Sequence, residues 1–191
     1  FVFCNPGNPT GIVHNQHEIE TLAALVNQHD TLVIADEAYS DLVFTDRPFT
    51  SVLQVPAFSG RTLYCQTFSK SYAMTGWRVG YLAGPAEMIA AAARVHNSVN
   101  GSVNSAVQRA ALVALTQCKN DVKRMYDVYR ERRQLMMEGL YAIPELSLNE
   151  PEGAFYCFPS YSLPIPAIDM VALLREQGIA VRPGSELGSA G

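Results

Sequence analysis

The sequence predicts an α/β fold. A three-layer αβα unit around a mostly parallel sheet is present in part, followed by a smaller α+β C-terminal unit. Two observations carry this. Short runs at 1–4, 32–35, 62–66 and 79–83 are largely apolar rather than alternating, as strands buried on both faces are. Helical periodicity separates or follows them, the order that builds parallel sheets with helical layers.

Each element has its own local reason. The run at 1–4 ends in Asn5-Pro6-Gly7-Asn8-Pro9-Thr10-Gly11, dense turn chemistry. Asn15 and Glu18 have the spacing of a capping box. Ile19, Leu22, Ala23 and Val26 then repeat with helical spacing to about residue 29. The strand at 32–35 stops at Asp36, and loop-rich sequence runs on to Gly60 before the strands at 62–66 and 79–83. Pro85 opens an alanine-rich helix to about 95, and a second helix is predicted over 102–116. A long charged helix follows over 121–141, with Val122, Met125, Tyr129, Met136 and Leu140 along its apolar stripe. After Pro144, short strands are predicted at 146–148 and 155–158, then a helix from Pro166 to Gly178 and a last strand at 179–181. The predicted boundary lies near 118–125, giving units of 1–120 and 121–191. The start inside a strand and the stop inside a loop at Gly188-Ser189-Ala190-Gly191 lead us to expect an internal piece of a longer protein.

Composition narrows the function classes. Hydrophobic residues make up 48% and charged residues 17%, which argues against disorder. A net charge of −4, with no basic run beyond Arg132-Arg133, argues against a nucleic-acid surface. No apolar run suits a membrane span and no signal-peptide pattern is visible, so a cytoplasmic location is expected. Cys4, Cys65, Cys118 and Cys157 are widely spaced and read as reduced core residues. His14, His17, His29 and His96 lack metal-ligand spacing, so no metal site is expected.

The chemistry concentrates around one lysine. Lys119 and Lys123 belong to a polar helix face, but Lys70 sits in a hydroxyl-rich turn after an apolar strand. A neutral lysine amine attacks carbonyl carbon. Arg78, further along the same segment, offers a planar fork for a phosphate. An aldehyde that carries a phosphate is pyridoxal 5'-phosphate. In open α/β sheets, functional groups gather past the carboxyl ends of the strands. Asn8, Asp36 and Lys70 each follow a different predicted strand.

Three segments carry a family resemblance: Asn5-Pro6-Gly7-Asn8-Pro9-Thr10-Gly11, Asp36-Glu37-Ala38-Tyr39, and Ser69-Lys70 followed by Gly76-Trp77-Arg78-Val79-Gly80. Together they resemble the central motifs of the class I/II aminotransferases, pyridoxal-phosphate enzymes of the aspartate aminotransferase fold. Gly153-Ala154-Phe155-Tyr156 and Val181-Arg182-Pro183-Gly184 resemble that family's small domain. The resemblance implies a Schiff-base role and proton transfer for Lys70. It implies that Asp36 partners the pyridine nitrogen, that Tyr39 and Asn8 donate to the ring oxygen, and that Thr67, Ser69 and Arg78 hold the phosphate. The Asn8-Pro9 bond is expected to be cis. Read without the family, Asp36 also suits a cap or turn, Asn8 an Asx turn, Tyr39 a core tyrosine, Arg78 a structural ion pair, and Ser69 a turn hydroxyl.

The implied activity is amino-group transfer between an amino acid and a 2-oxo acid, in a homodimer. Two alternatives keep the same fold: a pyridoxal-phosphate carbon–sulfur lyase, and the effector-binding domain of a transcription regulator. Gly101-Ser102-Val103-Asn104 stands where many members carry a Ser-Asn-Pro type segment, which leaves the substrate class open. The family's ring-stacking aromatic is expected before Phe1, and its substrate-carboxylate arginine after Gly191.

Overall fold

A computed structural model describes residues 1–188. Its main sheet contains β1 (Val2–Cys4), β2 (Val33–Asp36), β3 (Thr62–Thr67) and β4 (Gly80–Ala83), in that spatial order. The first three are parallel, and β4 returns antiparallel to β3. The register puts Cys4 opposite Asp36 and Asp36 opposite Cys65, so three polar side chains share one end of the sheet.

Helix α1 (Gln16–Gln28) covers one face of this sheet. Its capping box forms as expected: Asn15 Oδ1 accepts the Glu18 N–H at 3.0 Å, and Glu18 accepts the Asn15 N–H at 2.8 Å. Ile19, Ala23 and Val26 pack against Phe3, Val33, Ala35 and Tyr64. Val52 and Phe58, on two single turns of 3-10 helix, complete that core. Truncating a fully buried isoleucine such as Ile19 to alanine typically costs about 2–5 kcal/mol.

The opposite sheet face is different. Strand side chains alternate between faces, so Val2 and Ile34 point away from α1 and stay 70% and 42% exposed. The all-apolar strand pattern predicts cover on both faces; among the described residues only one face receives it. Helix α2 (Ala86–Val99) likewise buries no residue.

Several boundaries shift for local reasons. Helix α2 continues to Val99, beyond the expected 95. Helix α3 (Ser105–Gln117) starts later than 102 because Asn104 caps it, its side chain accepting the Ala106 and Val107 N–H groups. Gly101 just before it has φ +70°, outside the helical region. Helix α4 (Lys119–Tyr141) begins directly after Cys118 and runs 23 residues.

Strands β5 (Leu146–Ser147) and β6 (Ser160–Tyr161) form a separate antiparallel pair. The strand expected at 155–158 does not form. Instead Gly153 bridges Val43, and Ala154 turns the chain away with φ +60°. Helix α5 (Ala167–Glu176) follows. The strand expected at 179–181 is also absent. After Gly178 (φ +80°), the Ile179 N–H folds back to Leu174 O at 2.9 Å, a helix-closing bond instead of a ladder. The expected loop ending at Gly188-Ser189-Ala190-Gly191 lies, from Ser189 on, outside the described residues.

Candidate active site

Lys70 lies in the loop that joins β3 to β4. That loop is closed at its base by Phe68 N–H to Val79 O at 3.2 Å, and internally by Met74 N–H to Phe68 O at 3.2 Å and Ala73 N–H to Lys70 O at 3.2 Å. Thr75 Oγ1 donates to Ser69 O at 3.0 Å. Ala73 and Arg78 both adopt left-handed backbone, with φ of 52° and 53°. Such conformations are uncommon for side chains with a Cβ and persist where surrounding bonds enforce them.

The half-buried Lys70 amine stands 5.6 Å from the centroid of the Tyr39 ring and 5.3 Å from that of Phe155. It has no ion pair or hydrogen bond among the described residues. Both rings lie within cation–π distance of the amine and leave its donor directions free. Phe155 meets Tyr39 edge-on at 5.3 Å and stacks on Tyr129 of α4 at 5.4 Å.

Asp36 ends β2 between Cys4 and Cys65. Its Oδ1 accepts the Ala38 N–H at 3.1 Å, while Oδ2 accepts nothing among the described residues. Burial pushes both flanking thiols up, and the Asp36 charge adds to that in each. Neighbouring Glu37 faces elsewhere: it is buried, and its Oε1 accepts the Val52 N–H at 2.8 Å. Desolvation raises its carboxyl above the usual range, against the lowering effect of that N–H.

Tyr39 is buried, and its hydroxyl meets the Tyr156 hydroxyl at 2.5 Å. Burial first, and the Tyr156 hydroxyl second, push the Tyr39 phenol far upward, so it keeps its proton. Gln66 braces this end of the sheet. Its amide lies within hydrogen-bond distance of Glu37 O, Ser40 Oγ and Tyr64 Oη.

Thr67 Oγ1 lies 2.9 Å from Ser69 Oγ and accepts the Ser69 N–H at 3.1 Å. Two hydroxyls are therefore gathered where β3 enters the lysine loop. Arg78 is exposed, and its guanidinium donates to Thr75 O at 3.1 Å rather than to a carboxylate. Asn8 lies on an exposed turn, and its side chain has no hydrogen bond to the other candidates. Both Asn5-Pro6 and Asn8-Pro9 are cis.

The structure thus brings Lys70, Tyr39, Thr67, Ser69 and Asp36 to neighbouring positions at one sheet end. Arg78 and Asn8 stand on flanking turns. It also adds Phe155 and Tyr156, to which sequence reasoning gave no site role. Their motif was visible, but no local pattern indicates that a loop so far along the chain packs over Lys70.

That loop is clamped onto the turn after β1. Glu152 and Gly153 N–H groups both bond Gly11 O, at 2.9 and 2.8 Å. Arg133 of α4 holds the loop through Pro151 O at 2.6 Å and Glu150 at 2.5 Å. Gly11 has φ +70°, and a Cβ there would lie 2.5 Å from Pro151 Cβ.

The donor set fits pyridoxal 5'-phosphate. An amine free of ion pairs suits its aldehyde, the open Asp36 Oδ2 its ring nitrogen, a protonated phenol its ring oxygen, and the paired hydroxyls with Arg78 its phosphate. Among the described residues no cluster of His, Cys, Asp and Glu has metal-binding geometry.

Comparison with known proteins points the same way. The family model described as aminotransferase class I and II matches residues 1–191. An aspartate aminotransferase of Bacillus subtilis is 32% identical over 98% of this chain and 50% of its own length. The solved aromatic aminotransferase of Pyrococcus horikoshii superposes with a TM-score of 0.92 at 33% identity, over 100% of this chain and 52% of that one. The Thermotoga maritima aspartate aminotransferase gives 0.87 at 36% identity, over 96% and 48%. The chain spans about half the length of the curated relatives it matches.

Proposed function

This chain belongs to the class I and II aminotransferases, and from that premise we propose that the protein carrying it moves an amino group between an amino acid and a 2-oxo acid, using pyridoxal 5'-phosphate held at Lys70. The observation that carries the reading is the Lys70 amine, free of ion pairs and bracketed by the Tyr39 and Phe155 rings at the sheet end where Asp36 stands. The similar aspartate aminotransferases of Thermotoga maritima and Bacillus subtilis support the same reaction class.

When bound, the cofactor supplies a sink for the electrons left on the substrate's alpha carbon once a proton departs. The chain's own residues make that possible. Lys70 would hold the cofactor's aldehyde and, as a free amine, would take the proton from the substrate's alpha carbon as general base and deliver it elsewhere as general acid. Asp36 Oδ2 keeps a proton on the ring nitrogen. Tyr39 donates to the ring oxygen, with Asn8 proposed beside it on the strength of its motif. Thr67, Ser69 and Arg78 bind the phosphate. Phe155 and Tyr39 flank the amine with their rings.

The organisation follows as part of the same proposal. Residues 1–120 form the carboxyl half of the cofactor-binding unit, and 121–191 the linking helix and part of a smaller unit. The active form is a homodimer in the cytoplasm. No helix among the described residues is long and apolar enough to cross a membrane.

The test uses the full-length protein loaded with cofactor. Borohydride reduction followed by peptide mass mapping is expected to fix the cofactor mass on the peptide containing Lys70. Lys70→Ala is expected to abolish both that label and amino transfer from a panel of amino acids to 2-oxoglutarate. A label that survives in Lys70→Ala would overturn the assignment.

A further inference from the structure

Two phenols in contact share one hydrogen bond but carry two protons. Tyr39 and Tyr156 are in that position: their hydroxyls lie 2.5 Å apart, and neither has another hydrogen-bond partner among the described residues. One proton fills the bond between them, and the other is free to point elsewhere. Which phenol keeps the free proton decides which one can donate to a third group.

The two are not equivalent. Tyr39 follows β2, close behind Asp36, and its ring faces the Lys70 amine at 5.6 Å. Tyr156 approaches from the other side, on the loop that Gly11 and Arg133 clamp in place. Its ring is edge-on to Tyr39 at 5.6 Å and packs against Phe155 at 4.8 Å. The clamp, the edge-on packing and the short hydroxyl contact leave Tyr156 little freedom to turn.

We propose that Tyr156 is a positioning residue: it donates its proton to Tyr39 and thereby leaves the Tyr39 proton aimed at the cofactor's ring oxygen. The inference rests on the reading of Tyr39 as donor to that oxygen. An anionic ring oxygen calls for a donor, and only one orientation of the pair gives it one through Tyr39. Hydrogen bonds in such a chain polarise and strengthen one another. The other ionisable groups near Tyr39 are Lys70 from the β3–β4 loop, Asp36 at the end of β2 and Cys4 from β1.

The measurement is the pH midpoint of the bound cofactor's visible absorbance in the full-length holoenzyme. Donation to the ring oxygen stabilises its anionic form and holds the midpoint down. Tyr39→Phe is expected to raise the midpoint by about one pH unit, the size of a hydrogen bond to a charged group. Tyr156→Phe keeps the ring and loses only the hydroxyl, and is expected to raise it by about 0.3 unit. In the Tyr39→Phe background, adding Tyr156→Phe is expected to change nothing, since the hydroxyl acts only through Tyr39.

A shift with Tyr39→Phe and none with Tyr156→Phe overturns the inference and leaves the reading of Tyr39 intact. An undiminished Tyr156→Phe shift in the Tyr39→Phe background also overturns it, because the effect then bypasses Tyr39. No shift with Tyr39→Phe removes the reading beneath the inference, and the inference with it. If Tyr156→Phe fails to hold cofactor, 3-fluorotyrosine placed at 156 supplies the second arm. Its more acidic phenol is a stronger donor and should lower the midpoint; an unchanged or raised midpoint overturns the proposal.

Discussion

Adjacent carboxylates at the end of β2 have opposite surroundings. Asp36 keeps an oxygen without a hydrogen-bond partner among the described residues, beside the lysine loop, while Glu37 is buried on the other side against Val52. If Asp36 holds the ring nitrogen's proton, its charge matters most as negative charge enters the ring. Asp36→Asn in the full-length protein is therefore expected to lower kcat roughly 100-fold or more while weakening cofactor binding far less. Steady-state rates at saturating cofactor and a cofactor titration check this, and a near wild-type kcat would remove the role. Glu37 predicts a pH effect instead. Its carboxyl is raised in the fold, so between the ordinary carboxylate value and the raised one the unfolded chain releases a proton that the folded chain retains. Stability should fall as pH rises through that window. Glu37→Gln can keep accepting the Val52 N–H and should flatten that slope in denaturant midpoints measured across acidic pH. The motif made Asp36 readable in the sequence. Tyr156 also lay in a readable motif, but nothing local gave it a site role, because its importance comes from a hydroxyl contact across distant chain segments.

Elements whose cause is local were legible, and those needing a partner were not. The α1 capping box needs only Asn15 and Glu18, and it formed at the expected place. The strands expected at 155–158 and 179–181 had suitable residues, but a strand requires a neighbour. Gly153 took Val43 in one case, and the Ile179 N–H took Leu174 O in the other. Loop docking onto the Gly11 turn was equally hidden, although its glycines give it a direct test. A Cβ on Gly153 would lie 2.7 Å from Val13 Cγ2 and 2.8 Å from Pro6 Cβ. Gly153→Ala is expected to destabilise by about 1–3 kcal/mol. Gly139 in α4 has open space around its Cβ position, so Gly139→Ala should stabilise by about 0.5–1 kcal/mol. Urea unfolding with unchanged m values separates the two; equal effects would refute the close-packing argument.

At the scale of the molecule, the α/β class and a mostly parallel sheet were readable because buried parallel strands leave continuous apolar runs. The same runs overstate what this chain covers by itself. Phe1, Val2, Leu32 and Ile34 remain exposed near one sheet edge, and Val95, Val99, Leu112 and Leu135 on the helices. Apolar surface of that extent drives association. Expressed alone, residues 1–191 are expected to self-associate and to show no amino transfer, whereas the full-length protein transfers normally. Size-exclusion chromatography and parallel assays with 2-oxoglutarate check both statements. A monodisperse, active 1–191 would overturn the view that this chain supplies only one side of the site.

The Phe155 wall also fixes an order of events during synthesis. A ribosome releases Lys70 well before the clamped loop that carries Phe155 and Tyr156. For that interval the nascent amine has Tyr39 beside it and no second ring. Closing so long a loop has an entropic cost that grows only slowly with length, so the ring can dock late at little extra thermodynamic cost. Cofactor taken up before the loop docks meets an amine with Tyr39 as its one aromatic neighbour; cofactor arriving afterwards meets an amine between two rings.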